Sequence, residues 1–243
     1  MRRDEQLGEV EARRFADWIA RRARREPAQY IAGRVEFHGL SLAIDRRALI
    51  PRPETEGLVD TVLATDPPAG ATVLDAGTGS GCIAIALALA RPDLALRAID
   101  RSVEALELAR ENVRRHGVER RVLLLHAEFT SVPAEWESSF DRVVANPPYV
   151  PEGEWVALQA EVRDHEPREA LVPGSTGLEA YVALAGMGRR VLRPGGAIVF
   201  EVGYNQAQRV CALLTDQGFA SIEARADWAG IPRYVLARAG AAR

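Results

Sequence analysis

Apolar residues at Leu7, Val10, Phe15, Trp18 and Ile19 recur with charged residues between them, a helical period that predicts one amphipathic helix near the start of the chain. The rhythm then changes. "RVEFHGLSLAID" alternates around Gly39, which predicts a β-hairpin, and "RALIPRPET" follows as a loop punctuated by proline. A helix is expected from about Glu54 to Ala64, ended by the breaker "DPPAG".

From Ala71 onward short apolar runs alternate with helical patterns. "TVLDAG", "LALRAID", "RVLLLHA", "FDRVVAN" and "AIVFEVG" read as strands, the last preceded by a turn at "RPGG". "CIAIALALA", "VEALELARENVRRHG", "GLEAYVALAGMGRRVL" and "NQAQRVCALLTDQG" read as helices. Such alternation specifies an α/β fold with a mostly parallel sheet wrapped by helices on both faces. Two closing strands, "FASIEARA" and "RYVLARA", have no helix between them and should pair antiparallel at an edge. In sheets of this class ligands bind beyond the carboxyl ends of the strands.

Composition narrows the chemistry. With 243 residues, 47% hydrophobic and 27% charged, the chain has length for one large domain or one and a half. No apolar run approaches the roughly 20 residues of a membrane span, and no apolar core follows the Arg-rich start, so a cytoplasmic location without a membrane partner is expected. Cys82, Cys211 and the histidines at 38, 116, 126 and 165 are scattered without metal-ligand spacing, and no metal is expected. All 31 basic residues are arginine, which excludes lysine Schiff-base chemistry and a P-loop lysine. The net charge of -3 argues against direct nucleic-acid binding, although eight arginines against five acids in residues 1–25 make that end locally basic. A monomer is expected.

The first strand of the alternating region runs into "DAGTGSG", residues 75–81, where Gly77, Gly79 and Gly81, with Thr78 and Ser80 between them, precede a helix. Such a turn lets the backbone approach a ligand closely. The dinucleotide fingerprint G-x-G-x-x-G fails, because its third glycine position is Cys82. Asp100 ends the second strand, 25 residues after Asp75, where an acid can hydrogen-bond a ribose diol. Together these residues resemble the seven-stranded, Rossmann-like methyltransferases that use S-adenosylmethionine. In that family the glycine loop meets the methionine and ribose portions and the acid holds the ribose. The resemblance also implies an adenine contact at the third strand end, here Glu128 and Phe129, an acid and an aromatic suited to an amine and a ring face.

The fourth strand ends in "NPPY". A residue before proline is held extended and proline has no N–H, so Asn146 and Pro147 form a stiff segment that offers acceptors and few donors. Such a segment suits an NH₂ group: the Asn146 side-chain oxygen and the Pro147 carbonyl each take one hydrogen, and the nitrogen is oriented for attack on a sulfonium methyl. Tyr149 supplies a flat wall for a conjugated substrate. A planar amide and an amino base both satisfy these four residues.

"EPAQYIAGRVEFHGLSLAIDRRALIPRPETEGLVD", residues 26–60, is similar to the hairpin and Arg-Pro-Glu-Thr-Glu loop of the bacterial HemK/PrmC family, which methylates the glutamine of the Gly-Gly-Gln motif in peptide-chain release factors. "HEPREALVPGSTGLEAY", "RPGGAIVFEVGYNQ" and "DWAGIPRYVLAR" extend the resemblance to about Arg238. It implies N5-methylation of a release-factor glutamine by S-adenosylmethionine, leaving S-adenosylhomocysteine. It assigns Asn146 and Pro147 to the substrate amide, and Pro148 and Tyr149 to the rest of the pocket. Asn146 also borders the cofactor, and Pro51, Arg52, Glu54 and Thr55 lie over its entrance.

The expected organisation is a remnant helical segment at 1–28, a hairpin with its connecting helix at 29–65, and a methyltransferase domain at 66–243. The family carries a bundle of several helices before "QYI-G", and 28 residues before Gln29 do not hold one. Either the start lies further upstream, or the basic helix and the long loop after Tyr149 recognise the substrate. Pro173 and Gly174 stand where relatives have Gly-Gly, and Glu128 where they have Asp. Two other readings stay open: an N6-adenine or other amino-base methyltransferase, and a cofactor-binding protein without activity.

Overall fold

The computed structural model describes residues 8–240. Helix α1 (Glu9–Ala23) forms as the apolar period predicts, yet it buries no residue, and Val10, Phe15 and Ile19 remain exposed. Its carboxyl end is held by charge. Arg21 makes a two-toothed pair with the buried Glu26 at 2.8 and 2.9 Å, and Arg22 and Arg25 both reach Glu161. Much of the basic character of this end is thus spent on intramolecular pairs.

The short helix α2 (Ala28–Ala32) leads into the hairpin of β1 (Arg34–Phe37) and β2 (Leu40–Ala43). Phe37 and Leu42 point into the core, with the turn at His38 and Gly39, both at positive φ. Helix α3 (Pro53–Ala64) opens on proline at its first position, where the missing N–H costs no helical bond. Tyr30, Phe37, Leu42 and Ile44 join Leu58, Val59 and Val62 of α3 in one apolar cluster that continues onto the sheet.

The main sheet has seven strands: β3 (Thr72–Ala76), β4 (Ala95–Asp100), β5 (Val122–His126), β6 (Phe140–Ala145), β7 (Leu192–Glu201), β8 (Phe219–Ala226) and β9 (Pro232–Ala239). They lie in the order β5-β4-β3-β6-β7-β9-β8. Only β9 runs against its neighbours, pairing antiparallel with both β7 and β8. The two closing strands therefore pair as expected, but only β8 is at the edge and β9 lies inside. The turn expected at "RPGG" survives as a bulge: Phe140 pairs with Leu192 and Arg142 with Ala197, so residues 193–196 loop out of a strand that begins earlier than the sequence indicates.

Helices α4 (Cys82–Ala90), α5 (Val103–Arg115), α6 (Ala160–Arg163), α7 (Glu179–Val191) and α8 (Ala207–Asp216) complete the chain, with α6 in the loop after β6. Apolar on every side, α4 has residues 82–88 buried between the sheet and α3. A second apolar cluster, built on Tyr181, Leu184, Phe200 and Val210, covers the other face. The winding turns back between β3 and β6, so the carboxyl ends of these two strands bound the crevice where such sheets hold ligands. No helix among the described residues is long and apolar enough to cross a membrane.

Candidate active site

The loop between β3 and α4 turns through Gly77, Gly79 and Gly81, all at positive φ. At Gly81 a side chain would be strained by the φ of 84° and would bring a Cβ to 3.4 Å from that of Ala109, so glycine lets the loop sit on α5. Alternate residues face alternate ways. Gly77 and Gly79 line a cavity, whereas Thr78 and Ser80 are buried behind the loop. The Thr78 hydroxyl donates to Asp75 at 2.6 Å, and burial pushes the Asp75 carboxyl up to about 7.

Asp100 ties this loop to the next strand end. One oxygen accepts the Gly79 N–H and the other the Ser102 N–H, each at 2.9 Å. Burial raises its pKa despite these bonds. Each oxygen keeps a further lone pair, and the residue lines the cavity, so a diol can still bind there. Behind the loop Asn112, fully buried on α5, donates to the Ser80 carbonyl at 2.9 Å and exchanges bonds with the backbone of Ala43.

The cavity, about 270 Å³, runs along the strand ends past Gly77, Gly79, Asp100, Glu128, Phe129, Asn146 and Pro148. Arg47, Ala48 and Leu49 also line it, as do Glu169, Pro173 and Glu179 from the segment after β6 and the start of α7. Phe129 stacks over Gly77, where a Cβ would sit 3.5 Å from its ring. Glu179 leaves one buried oxygen, Oε2, without a hydrogen-bond partner. A carboxylate with free lone pairs beside an apolar slot suits a ligand that carries a diol and a flat ring.

At the end of β6, Asn146 donates from Nδ2 to Thr55 Oγ1 at 3.0 Å, and that hydroxyl donates to Glu201 Oε2 at 2.7 Å. Both partners are buried, Thr55 on the first turn of α3 and Glu201 at the end of β7. Burial pushes the Glu201 carboxyl up to about 7. Asn146 Oδ1 accepts nothing from the described residues. The two prolines follow without regular structure, Pro147 buried and Pro148 on the cavity wall.

Tyr149 is fixed from behind. Gln206 Nε2 donates to its carbonyl at 2.9 Å, and Gln206 Oε1 accepts the Gly203 N–H at 3.1 Å. Gly203 is required by close approach: a Cβ there would lie 2.6 Å from Gln206 Oε1 and 2.9 Å from the Tyr149 ring. Burial pushes the Tyr149 phenol up to about 12.

Gly77, Gly79, Asp100, Glu128, Phe129, Asn146 and Pro148 are thus gathered on one cavity, as their positions at strand ends anticipate. Thr78, Ser80 and Gly81 shape the loop from its buried side, and Pro147 and Tyr149 stand beside the cavity rather than on its wall. Arg47, Ala48 and Leu49 line the cavity, whereas Pro51, Arg52, Glu54 and Thr55, expected over its entrance, are not among its lining residues. Arg52 instead pairs with the buried Glu166 at 2.6 Å, Glu54 offers its carbonyl to Tyr234 at 2.6 Å, and Thr55 turns inward to Asn146. Asn112, Glu201 and Gln206 went unrecognised in the sequence. A polar residue at a buried helical position, as at Asn112, and an acid ending an apolar strand, as at Glu201, were the available signals.

The chain matches the family model described as the methyltransferase small domain over residues 54–166, and the PrmC N-terminal domain over residues 1–33. The release factor glutamine methyltransferase of Nitratidesulfovibrio vulgaris is 44% identical over 226 residues, covering 92% of this chain and 76% of that protein. The protein of the same name from Clostridium acetobutylicum is 37% identical over 239 residues, covering 98% and 84%. Among solved structures, a methyltransferase from Pyrococcus furiosus superposes with a TM-score of 0.61 at 19% identity, covering 93% of this chain and all of that one, a likeness of fold. By these matches, spread over nearly its whole length, the chain belongs to the release factor glutamine methyltransferase family.

Proposed function

We propose that this protein transfers a methyl group from S-adenosylmethionine to the side-chain amide nitrogen of a release-factor glutamine, that of the Gly-Gly-Gln motif, with the strand-end cavity as its active site. The observation that carries the reading is that Asn146 lines the same cavity as Gly77, Gly79 and Asp100 and has its amide oxygen unclaimed. The family membership supports the choice of glutamine over an amino base.

In this reading Asp100 holds the ribose diol, Gly77 and Gly79 give backbone access to the methionine portion, and Phe129 with Glu128 meets the adenine. Bound there, the cofactor supplies an electrophilic methyl on a positively charged sulfur and departs as S-adenosylhomocysteine. Asn146 Oδ1 and the Pro147 carbonyl each accept one N–H of the substrate amide, which fixes the nitrogen and turns its lone pair toward the methyl. Both acceptors also stabilise the positive charge that develops on nitrogen as the N–C bond forms, before a proton is lost to solvent. Orientation and fixed dipoles carry the catalysis without a strong base. We further propose that the protein acts as a cytoplasmic monomer and does not bind nucleic acid directly.

The test mixes the protein with methyl-labelled cofactor and a release factor, beside a copy whose Gly-Gly-Gln glutamine is alanine. Label is expected on the first alone. Equal label on both, or label only on added RNA or DNA, overturns the reading.

A further inference from the structure

Asn146 can act as an acceptor toward a substrate NH₂ only if its amide oxygen, and not its own NH₂, faces the cavity. The two orientations of a carboxamide have nearly the same shape, so packing does not choose between them. Hydrogen bonds do. The choice is made behind the residue. Thr55 Oγ1 has one proton, and the 2.7 Å bond to Glu201 Oε2 takes it. The assignment is that of the ionised carboxylate, and it holds as well with a proton on the other oxygen; a proton on Oε2 itself would reverse it. With its proton committed, the Thr55 oxygen has only lone pairs left for Asn146, and the 3.0 Å contact must be filled by Nδ2. Oδ1 is then directed away from Thr55 and left for the substrate.

Thr55 and Glu201 have few alternatives. Both are buried, at 2% and 1% exposure, so neither exchanges its bond for water. They come from parts of the chain far apart in sequence, brought together where α3 crosses the end of β7. Tyr234, opposite Glu201 in the β7–β9 ladder, fixes this crossing by donating to the Glu54 carbonyl at 2.6 Å.

Resting on the substrate role proposed for Asn146, we propose that Thr55 and Glu201 are positioning residues that set which way the Asn146 amide faces, and thereby make the site accept an NH₂ donor. Without Glu201 the Thr55 hydroxyl is free to donate to Oδ1, the amide turns over, and its NH₂ confronts the substrate's.

The test compares Thr55→Val, Thr55→Ser, Glu201→Leu, the double variant Thr55→Val/Glu201→Leu, and Asn146→Ala, with kcat, KM for release factor and cofactor affinity measured on each. Thr55→Val is expected to lower kcat about tenfold, the effect of one lost hydrogen bond in the transition state, with KM and cofactor affinity within about twofold. Thr55→Ser, which restores the hydroxyl, recovers most of that loss. Glu201→Leu lowers kcat at least as far. The double variant is no worse than the more impaired single one, because both act through one amide. Thr55→Ala reads the same effect should the valine disturb packing.

Full kcat in Thr55→Val and Thr55→Ala, with Asn146→Ala impaired, overturns the relay and leaves the active-site reading standing. Losses that multiply in the double variant also overturn it. Full activity in Asn146→Ala sinks the active-site reading itself.

Discussion

Asn112 and Ala43 exchange two hydrogen bonds, the Ala43 N–H donating to Asn112 Oδ1 at 2.7 Å and Asn112 Nδ2 donating back to the Ala43 carbonyl at 3.0 Å. A single side chain on α5 thus imitates a neighbouring strand for the edge of the hairpin, and its second N–H holds the Ser80 carbonyl of the glycine loop. Asn112 thereby fastens the hairpin to the glycine loop. Asn112→Leu leaves three backbone groups without partners, at about 1–3 kcal/mol for each that stays dry. A loss of roughly 3 kcal/mol in urea unfolding is expected, together with weaker cofactor binding by titration calorimetry. A variant as stable as the parent contradicts the clamp.

Asn146→Ala removes one acceptor for the substrate amide. With about 1–3 kcal/mol of transition-state stabilisation lost, kcat should fall between about fivefold and about 150-fold. Cofactor affinity should stay close to that of the parent. A parallel loss of cofactor binding would place the residue's main role with the cofactor instead.

Asp100→Ala is expected to do the reverse. It deprives the Gly79 and Ser102 N–H groups of their acceptor and removes the proposed diol contact. Equilibrium binding of S-adenosylmethionine should weaken by about 1–3 kcal/mol, with the release-factor KM little altered once cofactor is saturating.

Gly203→Ala probes the support behind Tyr149. Its Cβ cannot be placed without moving Gln206 or the Tyr149 ring, since it would lie within 2.6 and 2.9 Å of them. Overpacking of this kind costs about 1–3 kcal/mol. The expected signature is a lower melting temperature accompanied by reduced activity, because the displaced groups hold the substrate side of the site. Unchanged activity in a destabilised protein would show that Tyr149 tolerates movement.

Glu201 makes stability depend on pH. Its carboxyl is raised by burial from 4.5 to about 7, so between these values the unfolded chain has lost this proton while the folded chain retains it. The folded state binds more protons, and its stability falls as pH rises through that window, by up to about 3 kcal/mol from this residue. Asp75, raised from 3.8 to about 7, acts in the same direction. Denaturant midpoints measured from pH 5 to 7.5 should decline with pH, and Glu201→Gln should flatten the decline. A slope unaffected by the substitution would mean that Glu201 is ionised throughout.

The parts of this fold that rest on local pattern could be read from the chain. The glycine loop, Asp100 and Asn146 all sit at strand ends, and a strand end is marked in sequence by the place where an apolar run stops. What escaped depends on which distant segments meet. Thr55 reads equally well as an ordinary residue in the first turn of a helix, and nothing local indicates that Glu201 lies beneath it. Likewise the inner place of β9 follows from long-range pairing, to which a hydrophobic pattern is blind. Arg47–Leu49 line the cavity without any local mark in the sequence, since neither a glycine turn nor a strand end singles them out.

The place of β9 has a consequence for how the protein is made. As the last strand, it enters between β7 and β8, so β8 leaves the ribosome with no partner and β7 waits with an open edge. Tyr234 arrives with it, and until then the start of α3 lacks its tether to the end of β7. The glycine loop between β3 and α4 is built from residues made long before β9, whereas the tether from Tyr234 to the start of α3 forms only once β9 is in place.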